Sequence, residues 1–193
     1  MTDKELLGII ALIISIIGYI PYIRGIFRGK THPHAFSWLI WGLITGIAFA
    51  AQVSDRGGAG TWSTGLSAFL CLLIFVLALK KGEKDITITD WISLAFGLLA
   101  IPLWAITKSP FWSVILITVV DLIGYYPTFR KTYIKPHSEN LSMYILGSLK
   151  FVVSLFALTN FSFITAFYPL VIVAANIIFI FMVVWRRQIL TKK

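Results

Sequence analysis

The chain has 193 residues, of which 58% are hydrophobic and 13% are charged, and its mean hydropathy is +0.87. Because soluble domains average about 45–50% apolar and about 25% charged residues, this composition argues against a water-soluble enzyme or nucleic-acid-binding protein. We therefore take the net charge of +9 as a sign of the orientation of the chain in a membrane, since Lys and Arg collect in cytoplasmic loops. The single cysteine, Cys71, permits no intramolecular disulfide and is expected to fill space in the core.

Seven apolar segments follow one another along the chain, each close to the ~20 residues with which a helix spans a bilayer. In chain order they cover residues 5–27, 35–53, 60–80, 87–107, 110–130, 141–159 and 162–186. The loops between them are short, and no polar stretch is long enough to form a soluble domain. We therefore predict an all-α integral membrane protein with seven transmembrane helices.

Basic residues alternate between the two sides of this predicted bundle. Thirteen of them fall in the loops after the first, third and fifth segments and in the C-terminal tail, whereas three fall on the other side. Because Lys and Arg accumulate on the cytoplasmic side, the pattern predicts an external N-terminus and a cytoplasmic C-terminus. The location we expect is a cell membrane of the bacterial inner-membrane type.

An internal repeat relates the first segment to the fifth. Residues 17–24 and 123–130 match at five of eight positions with a constant offset of 106. The match then continues at an offset of 105 through these pairs: His32 and His137, Ser37 and Ser142, Ile40 and Ile145, Gly42 and Gly147. Both copies begin helices that run inward, so an odd number of spans must separate them. The sequence thus predicts two parallel triple-helix bundles, 1–84 and 110–193, joined by an inverting linker helix in 85–109 (3+1+3).

Each repeat carries a proline late in its first helix, Pro21 or Pro127, followed by a basic turn. The residues that lead into the second helix are Pro-His-Ala-Phe-Ser at 33–37 in the first repeat and Ser-Glu-Asn-Leu-Ser at 138–142 in the second. In these features the chain resembles the PQ-loop/SWEET transporter superfamily. The resemblance implies the 3+1+3 fold and alternating access by two rocking bundles. Its members include sugar facilitators, amino-acid exporters and nucleoside transporters, and a receptor-like branch shares the architecture.

Four residues are candidate hinges. A proline within a helix leaves a backbone carbonyl without its partner one turn earlier, so the matched Pro21 and Pro127 are candidates for bending points, although passive kinks are the alternative. Gly42 and Gly147 occupy the second helices, in which the resemblance implies hinge prolines.

Polar residues deep within the apolar segments are the candidate substrate-binding or coupling residues. At ~1.5 Å per residue, Asp121, Lys150 and Asn176 all fall near the midplane, where repeat-fold transporters bind substrate. Tyr19 and Tyr125 are candidates for lining the path. The alternatives stay open: a structural Asp121–Lys150 ion pair, a helix-to-helix hydrogen bond for Asn176, and simple packing for the tyrosines.

These features predict a transporter or facilitator for a small polar solute such as a sugar, an amino acid or a nucleoside-like molecule. A fixed Asp–Lys pair suits a zwitterionic or strongly polar substrate, or proton coupling, better than plain sugar facilitation. The alternative is a non-transporting receptor or scaffold of the same fold. We expect membrane lipids as partners, no nucleic acid, and no catalytic site, metal or cofactor, since His32, His34 and His137 lack further ligands nearby. The sequence leaves homo-oligomerisation open.

Overall fold

The computed structural model describes residues 1–29, 33, 35–82, 88, 91–92, 94–95, 98–99, 102, 106, 109–134, 136 and 141–191. Within these ranges the chain is helical, and its six α-helices are α1 (Asp3–Phe27), α2 (Ala35–Ser54), α3 (Trp62–Lys81), α4 (Pro110–Ile134), α5 (Ser142–Ala157) and α6 (Phe163–Thr191). A 3-10 helix, Gly58–Thr61, leads into α3. In the predicted fourth segment, 87–107, the described residues 88, 91–92, 94–95, 98–99, 102 and 106 are helical. The rest of this segment, and with it more than half of the linker domain predicted for 85–109, lies outside the described residues.

Among the described residues, four helices are long and apolar enough to cross a membrane: Asp3–Phe27, Ala35–Ser54, Gly58–Lys81 and Phe163–Leu190. The stretches Pro110–Leu122 and Ser142–Ala157 are apolar but shorter. The distribution of side chains is that of a membrane protein. Large apolar residues such as Ile13, Ile17 and Phe181 face outward, whereas serine, threonine and charged side chains are buried between the helices. Apolar side chains on the outside and polar ones inside suit a lipid environment, where polar groups have to find partners within the protein.

The beginning and the end of α1 follow from its local sequence. A capping box starts the helix: the Glu5 amide donates to Thr2 Oγ1 (3.2 Å) and the Thr2 amide donates to Glu5 Oε2 (2.7 Å). The helix continues through Pro21 and ends at Phe27. Gly29 follows with a φ of +67°, a left-handed conformation that glycine adopts without steric cost.

The six helices form a closed ring. Within it, α1 packs against α3 and α5, α2 packs against α3 and α4, and α6 packs against α4 and α5. The order around the ring is therefore α1, α3, α2, α4, α6, α5 and back to α1. Because α4 and α5 are separated by α6, side chains of these two helices approach the centre from different walls.

One end of the ring, here called the N-end, is where α1, α3, α4 and α6 begin and where α2 and α5 end. Its contacts are Lys4 Nζ donating to Leu158 O (2.6 Å), Gly8 packed on Ala59, Gln52 Nε2 donating to Thr165 O (3.0 Å), and the rings of Phe111 and Phe163 4.8 Å apart. Consequently α1 and α4 point in the same direction.

The opposite end, here called the C-end, is where α1, α3, α4 and α6 finish. The Lys81 ammonium lies 5.1 Å from the centre of the Phe27 ring, which joins α3 to α1. The Arg186 guanidinium lies 4.2 Å from the centre of the Tyr133 ring and its Nε donates to Tyr133 O (3.0 Å), which joins α6 to α4. A cation–π contact thus joins the helices of each of these two pairs at the C-end.

Candidate substrate cavity

A cavity of about 270 Å³ lies within the helix ring. All six described helices line it: α1 through Ser15 and Tyr19, α2 through Thr45, α3 through Ser67, and the remaining helices through Asp121, Lys150 and Tyr168. It extends from the middle of the ring toward the C-end, because its lining residues on α2 and α5 lie in the N-terminal and central parts of those helices. The volume suits a small metabolite, since cavities for drug-sized ligands begin at about 300 Å³.

All five predicted substrate-binding or coupling residues line this one cavity: Tyr19, Asp121, Tyr125, Lys150 and Asn176. Among the predicted hinge residues, Gly147 also lines it, and a Cβ at that position would lie 3.6 Å from Asn176 Nδ2. Gly42 instead packs against Leu72 of α3, and Pro21 lies within the continuous helix α1. Pro127 falls within α4, but its side chain is outside the described part of the structure.

Asp121 lies near the middle of α4 and is only 6% exposed. Its Oδ2 accepts a hydrogen bond from the Tyr168 hydroxyl on α6, at 3.0 Å. Among the described residues, the carboxylate accepts this one hydrogen bond. A carboxylate has about four lone-pair sites, so most of its capacity remains available toward the cavity.

Lys150 lies in α5 on another wall of the cavity and is also 6% exposed. Its ammonium donates to Ser67 Oγ of α3 (2.5 Å) and lies 4.3 Å from the Phe151 ring centre and 5.9 Å from that of Tyr19. Among the described residues, no nitrogen–oxygen contact within 4 Å joins Lys150 to Asp121. The two charges therefore face one cavity without a direct ion-pair contact, although they attract each other electrostatically.

The two predicted tyrosines occupy corresponding places in the ring. Tyr125 of α4 donates from its hydroxyl to Asn176 Oδ1 of α6 at 2.8 Å. Tyr19 of α1 places its hydroxyl 3.6 Å from Cys71 Sγ of α3. Each tyrosine thus bridges its helix to the next helix around the ring, and Asn176 makes an interhelical hydrogen bond while it lines the cavity.

An aromatic wall lines the part of the cavity that is nearer to the C-end. The Trp38 ring centre lies 4.9 Å from that of Tyr22 and 5.3 Å from that of Trp41, and Trp38 Nε1 donates to Tyr22 Oη at 3.2 Å. Trp38 is buried within this cluster and its indole N–H is satisfied there, whereas Trp41 is only partly buried. Together they give this part of the cavity an apolar aromatic lining. Such a surface can hold the non-polar or planar part of a ligand.

A polar network closes the ring at the N-end. Asp55 Oδ2 accepts hydrogen bonds from the Ser162 hydroxyl and from Asn160 Nδ2 (3.3 Å), and the Thr159 amide donates to Gly57 O at 2.9 Å. These contacts tie the loop after α2 to the loop between α5 and α6. Nearby, Gly60 packs directly on the backbone at the end of α5, where a Cβ would lie 2.6 Å from Ser154 O.

Sequence reasoning missed several residues of the site. Tyr168, the direct partner of Asp121, carried no signal of its own, because hydroxyl residues are ordinary in membrane helices. Ser67, the direct partner of Lys150, lies within a turn of the position that the repeat pairs with Asn176, but it was not predicted as a site residue. Cys71 was expected to fill space in the core, and it is buried as expected, but it also lines the cavity beside Tyr19. Applying the repeat offset of 105 to α3 pairs Cys71 with Asn176 and could have identified it.

Comparisons with known proteins add no identification: no family model, curated protein or solved structure matches this chain. Among the described residues, no group of three or more His, Cys, Asp or Glu side chains is placed to hold a metal ion. The predicted loop histidines His32, His34 and His137 lie outside the described residues. The geometry of the cavity is therefore the basis for assigning a function.

Proposed function

We propose that the chain is a transporter or facilitator for a small polar solute that works by alternating access, with its binding site in the cavity within the helix ring. The observation that carries the proposal is a cavity lined by all six described helices, into which the buried charges of Asp121 and Lys150 face without pairing. An ionisable residue within a membrane span is costly and marks a solute or ion pathway by default.

The depth of the two charges supports the same proposal. Asp121 lies eleven residues after Pro110 at the start of α4, and at ~1.5 Å per residue this places it roughly 17 Å along the helix. Lys150 lies eight residues after Ser142 at the start of α5, or roughly 12 Å along it. Half of a ~30 Å hydrocarbon core is ~15 Å, so both charges are near the midplane, where repeat-fold transporters bind their substrates.

The directions of the helices support the proposed 3+1+3 fold. Because α3 ends at the C-end with Lys81 and α4 begins at the N-end with Pro110, the chain has to pass from one end of the ring to the other between them. An inverting linker helix within 85–109 would provide this passage. The neighbour order α1, α3, α2 in the first half corresponds to α4, α6, α5 in the second.

Corresponding side-chain contacts support the internal repeat. Lys81 over Phe27 corresponds to Arg186 over Tyr133, with offsets of 105 and 106. The pair Tyr19 and Cys71 corresponds to Tyr125 and Asn176 with the same two offsets. Two parallel bundles, 1–84 and 110–193, therefore remain the interpretation that we propose, together with the resemblance to the PQ-loop/SWEET superfamily.

Alternating access is supported by the asymmetry between the two ends of the cavity. The network around Asp55 and Ser162 closes the N-end, whereas the cavity extends from the middle toward the C-end. With the proposed orientation, which places the N-terminus outside and the C-terminus in the cytoplasm of a bacterial-type inner membrane, this conformation is closed to the exterior. The solute crosses unchanged, so the proposed protein is not an enzyme, and its partners are the solute and membrane lipids.

Reconstitution into proteoliposomes tests the proposal. Radiolabelled sugars, amino acids and nucleosides are offered with and without a pH gradient, and we expect saturable uptake of at least one of them above empty liposomes. Since Cys71 is the single cysteine and lines the cavity, the transported solute should also slow its labelling by N-ethylmaleimide, with Cys71→Ser as the unlabelled control. A solute that protects Cys71 but never crosses would contradict transport and favour a receptor.

A further inference from the structure

The two charged walls of the cavity define what kind of solute fits it, and this inference rests on the proposed function. We propose that the substrate is a small zwitterion whose carboxylate binds Lys150 and whose ammonium group binds Asp121. Its remaining part lies against the aromatic surface of Trp38 and Trp41. The sequence already favoured a zwitterionic or strongly polar substrate, or proton coupling, over a plain sugar; the placement of side chains narrows the substrate to a zwitterion.

The first argument is that neither charge makes a direct contact with an opposite charge among the described residues. Asp121 accepts from the neutral hydroxyl of Tyr168, whereas Lys150 donates to the neutral hydroxyl of Ser67 and lies over the Phe151 ring. Burying a charge within a membrane span is costly, and the attraction between two opposite charges that do not touch offsets this cost less than a direct contact would. A ligand that supplies both opposite charges would relieve both costs at once.

The second argument is the position of the charges around the ring. Asp121 belongs to α4 and Lys150 to α5, and these helices are separated by α6. The two groups therefore approach the cavity from different walls with space between them instead of forming a contact. A molecule that carries separated opposite charges can bridge this space, whereas a single cation or a single anion would satisfy one wall only.

The third argument is the donor and acceptor capacity that remains. An ammonium group has three N–H donors, and Lys150 donates one hydrogen bond, to Ser67, in the described part of the structure. Asp121 accepts one hydrogen bond among the described residues, from Tyr168. Within this part of the chain, Lys150 therefore has donors that are engaged only by the faces of the Phe151 and Tyr19 rings, and Asp121 has further lone pairs. This capacity suits a carboxylate on one side and an ammonium group on the other.

The fourth argument is the apolar surface beside the charged walls. Trp38 and Trp41 line the cavity with their rings 5.3 Å apart and edge to face. Hydroxyl-rich solutes such as sugars would gain little from these faces beyond stacking and would leave both charges unneutralised. An apolar or aromatic substituent on a zwitterion gains from contact with them.

The test is a matched series of solutes in proteoliposomes. Glycine, leucine, phenylalanine, tryptophan, γ-aminobutyrate and betaine are compared with glucose and uridine, and the best zwitterion is then compared with its amide and its N-acetyl derivative. Each derivative lacks one of the two charges. We expect saturable uptake of the zwitterion and at least a tenfold lower uptake of each derivative.

Variants of the two charges give a readout that a merely structural role would not produce. Lys150→Met should lose the discrimination against the cationic amide, and Asp121→Asn should lose the discrimination against the anionic N-acetyl derivative. If either single variant fails to fold, Ser67→Ala and Tyr168→Phe, which keep the charges, should raise the KM for the zwitterion several-fold. Ser148→Ala is the control on α5, because its hydroxyl donates to Tyr144 O within the helix and does not line the cavity.

The outcomes separate this inference from the proposed function. Uptake of glucose or uridine without uptake of any zwitterion would overturn the inference and leave transport standing. A zwitterion that protects Cys71 from N-ethylmaleimide but does not cross would overturn transport and support the binding chemistry. Charge variants that leave the discrimination between the zwitterion and its derivatives unchanged would overturn the inference as well.

Discussion

Substituting Gly42 tests whether this glycine is a hinge or a point of close contact between two helices. Gly46, on the same helix, offers a matched control. A Cβ at Gly42 would lie 2.6 Å from Leu72 Cδ2, 2.8 Å from Leu72 Cγ and 3.3 Å from the Leu72 amide nitrogen, so α2 and α3 approach closely there. A Cβ at Gly46, one turn later, would meet nothing within 4 Å. The substitutions Gly42→Ala and Gly46→Ala therefore differ mainly in the neighbour that they meet.

The expected magnitudes follow from this geometry. Replacing glycine by alanine within a helix favours the helix by about 1 kcal/mol, and this gain is common to both variants. At Gly42 the new methyl group has to move Leu72 by roughly 1 Å to reach the usual 3.5–4.0 Å contact, and overpacking of this kind costs typically 1–3 kcal/mol. We expect Gly42→Ala to be less stable than Gly46→Ala by about 1–3 kcal/mol, a difference in Tm of roughly 2–12 °C for a chain of this size.

The assay follows thermal unfolding in detergent by the intrinsic fluorescence of the seven tryptophans, and size-exclusion chromatography after heating provides a second readout. Uptake of the transported solute is measured with the same preparations. Equal stability of the two alanine variants would refute the close-packing argument. If, in addition, Gly42→Ala alone slowed uptake, the hinge that the sequence predicted for this glycine would be the better explanation.

Three further predictions concern the cavity, the prolines and the topology. Tyr125→Phe removes the 2.8 Å hydrogen bond to Asn176 and should cost about 1 kcal/mol and raise the KM for uptake. Tyr19→Phe loses a 3.6 Å contact to the Cys71 thiol and an interaction with the Ser67 hydroxyl, which also binds Lys150, and should change both quantities less; equal effects would contradict this assignment. Pro21→Ala and Pro127→Ala should slow uptake with a nearly unchanged yield of folded protein, and loss of folding without a separate transport defect would indicate passive kinks. Reporters at the chain ends should place the N-terminus outside and the C-terminus in the cytoplasm, and finding both ends on one side would refute the odd number of spans.

The described helices could be predicted well because each depends on local sequence. Hydropathy over ~20 residues decides whether a segment can cross a bilayer, and four of the described helices meet this criterion. As helices, six predicted segments lie over α1 to α6 with ends within a few residues, except that α4 and α6 continue four to five residues further. The presence of Asp121, Lys150 and Asn176 deep within apolar segments was equally visible. Depth along a helix follows from residue number and the constant rise of ~1.5 Å, so the shared cavity of these residues could be anticipated.

What each of these side chains contacts could not be predicted. The partners of Asp121 and Lys150 are Tyr168 and Ser67, on helices that are distant in sequence. Equal depth suggested that the two charges meet, but contact also requires neighbouring helices that are rotated toward each other. Because α6 lies between α4 and α5, the charges face a common space instead.

The sequence by itself determined that the chain is helical, where the described helices lie, and that charged groups lie within them. Only the tertiary structure decided the order of the helices around the ring, the aromatic wall at Trp38 and Trp41, and the separation of Asp121 from Lys150. The physical reason is that hydropathy and helical rise act along one segment, whereas ring order and helix rotation depend on how all segments pack at once. Which side chains the cavity brings together therefore depends on tertiary packing and could not be determined from the sequence.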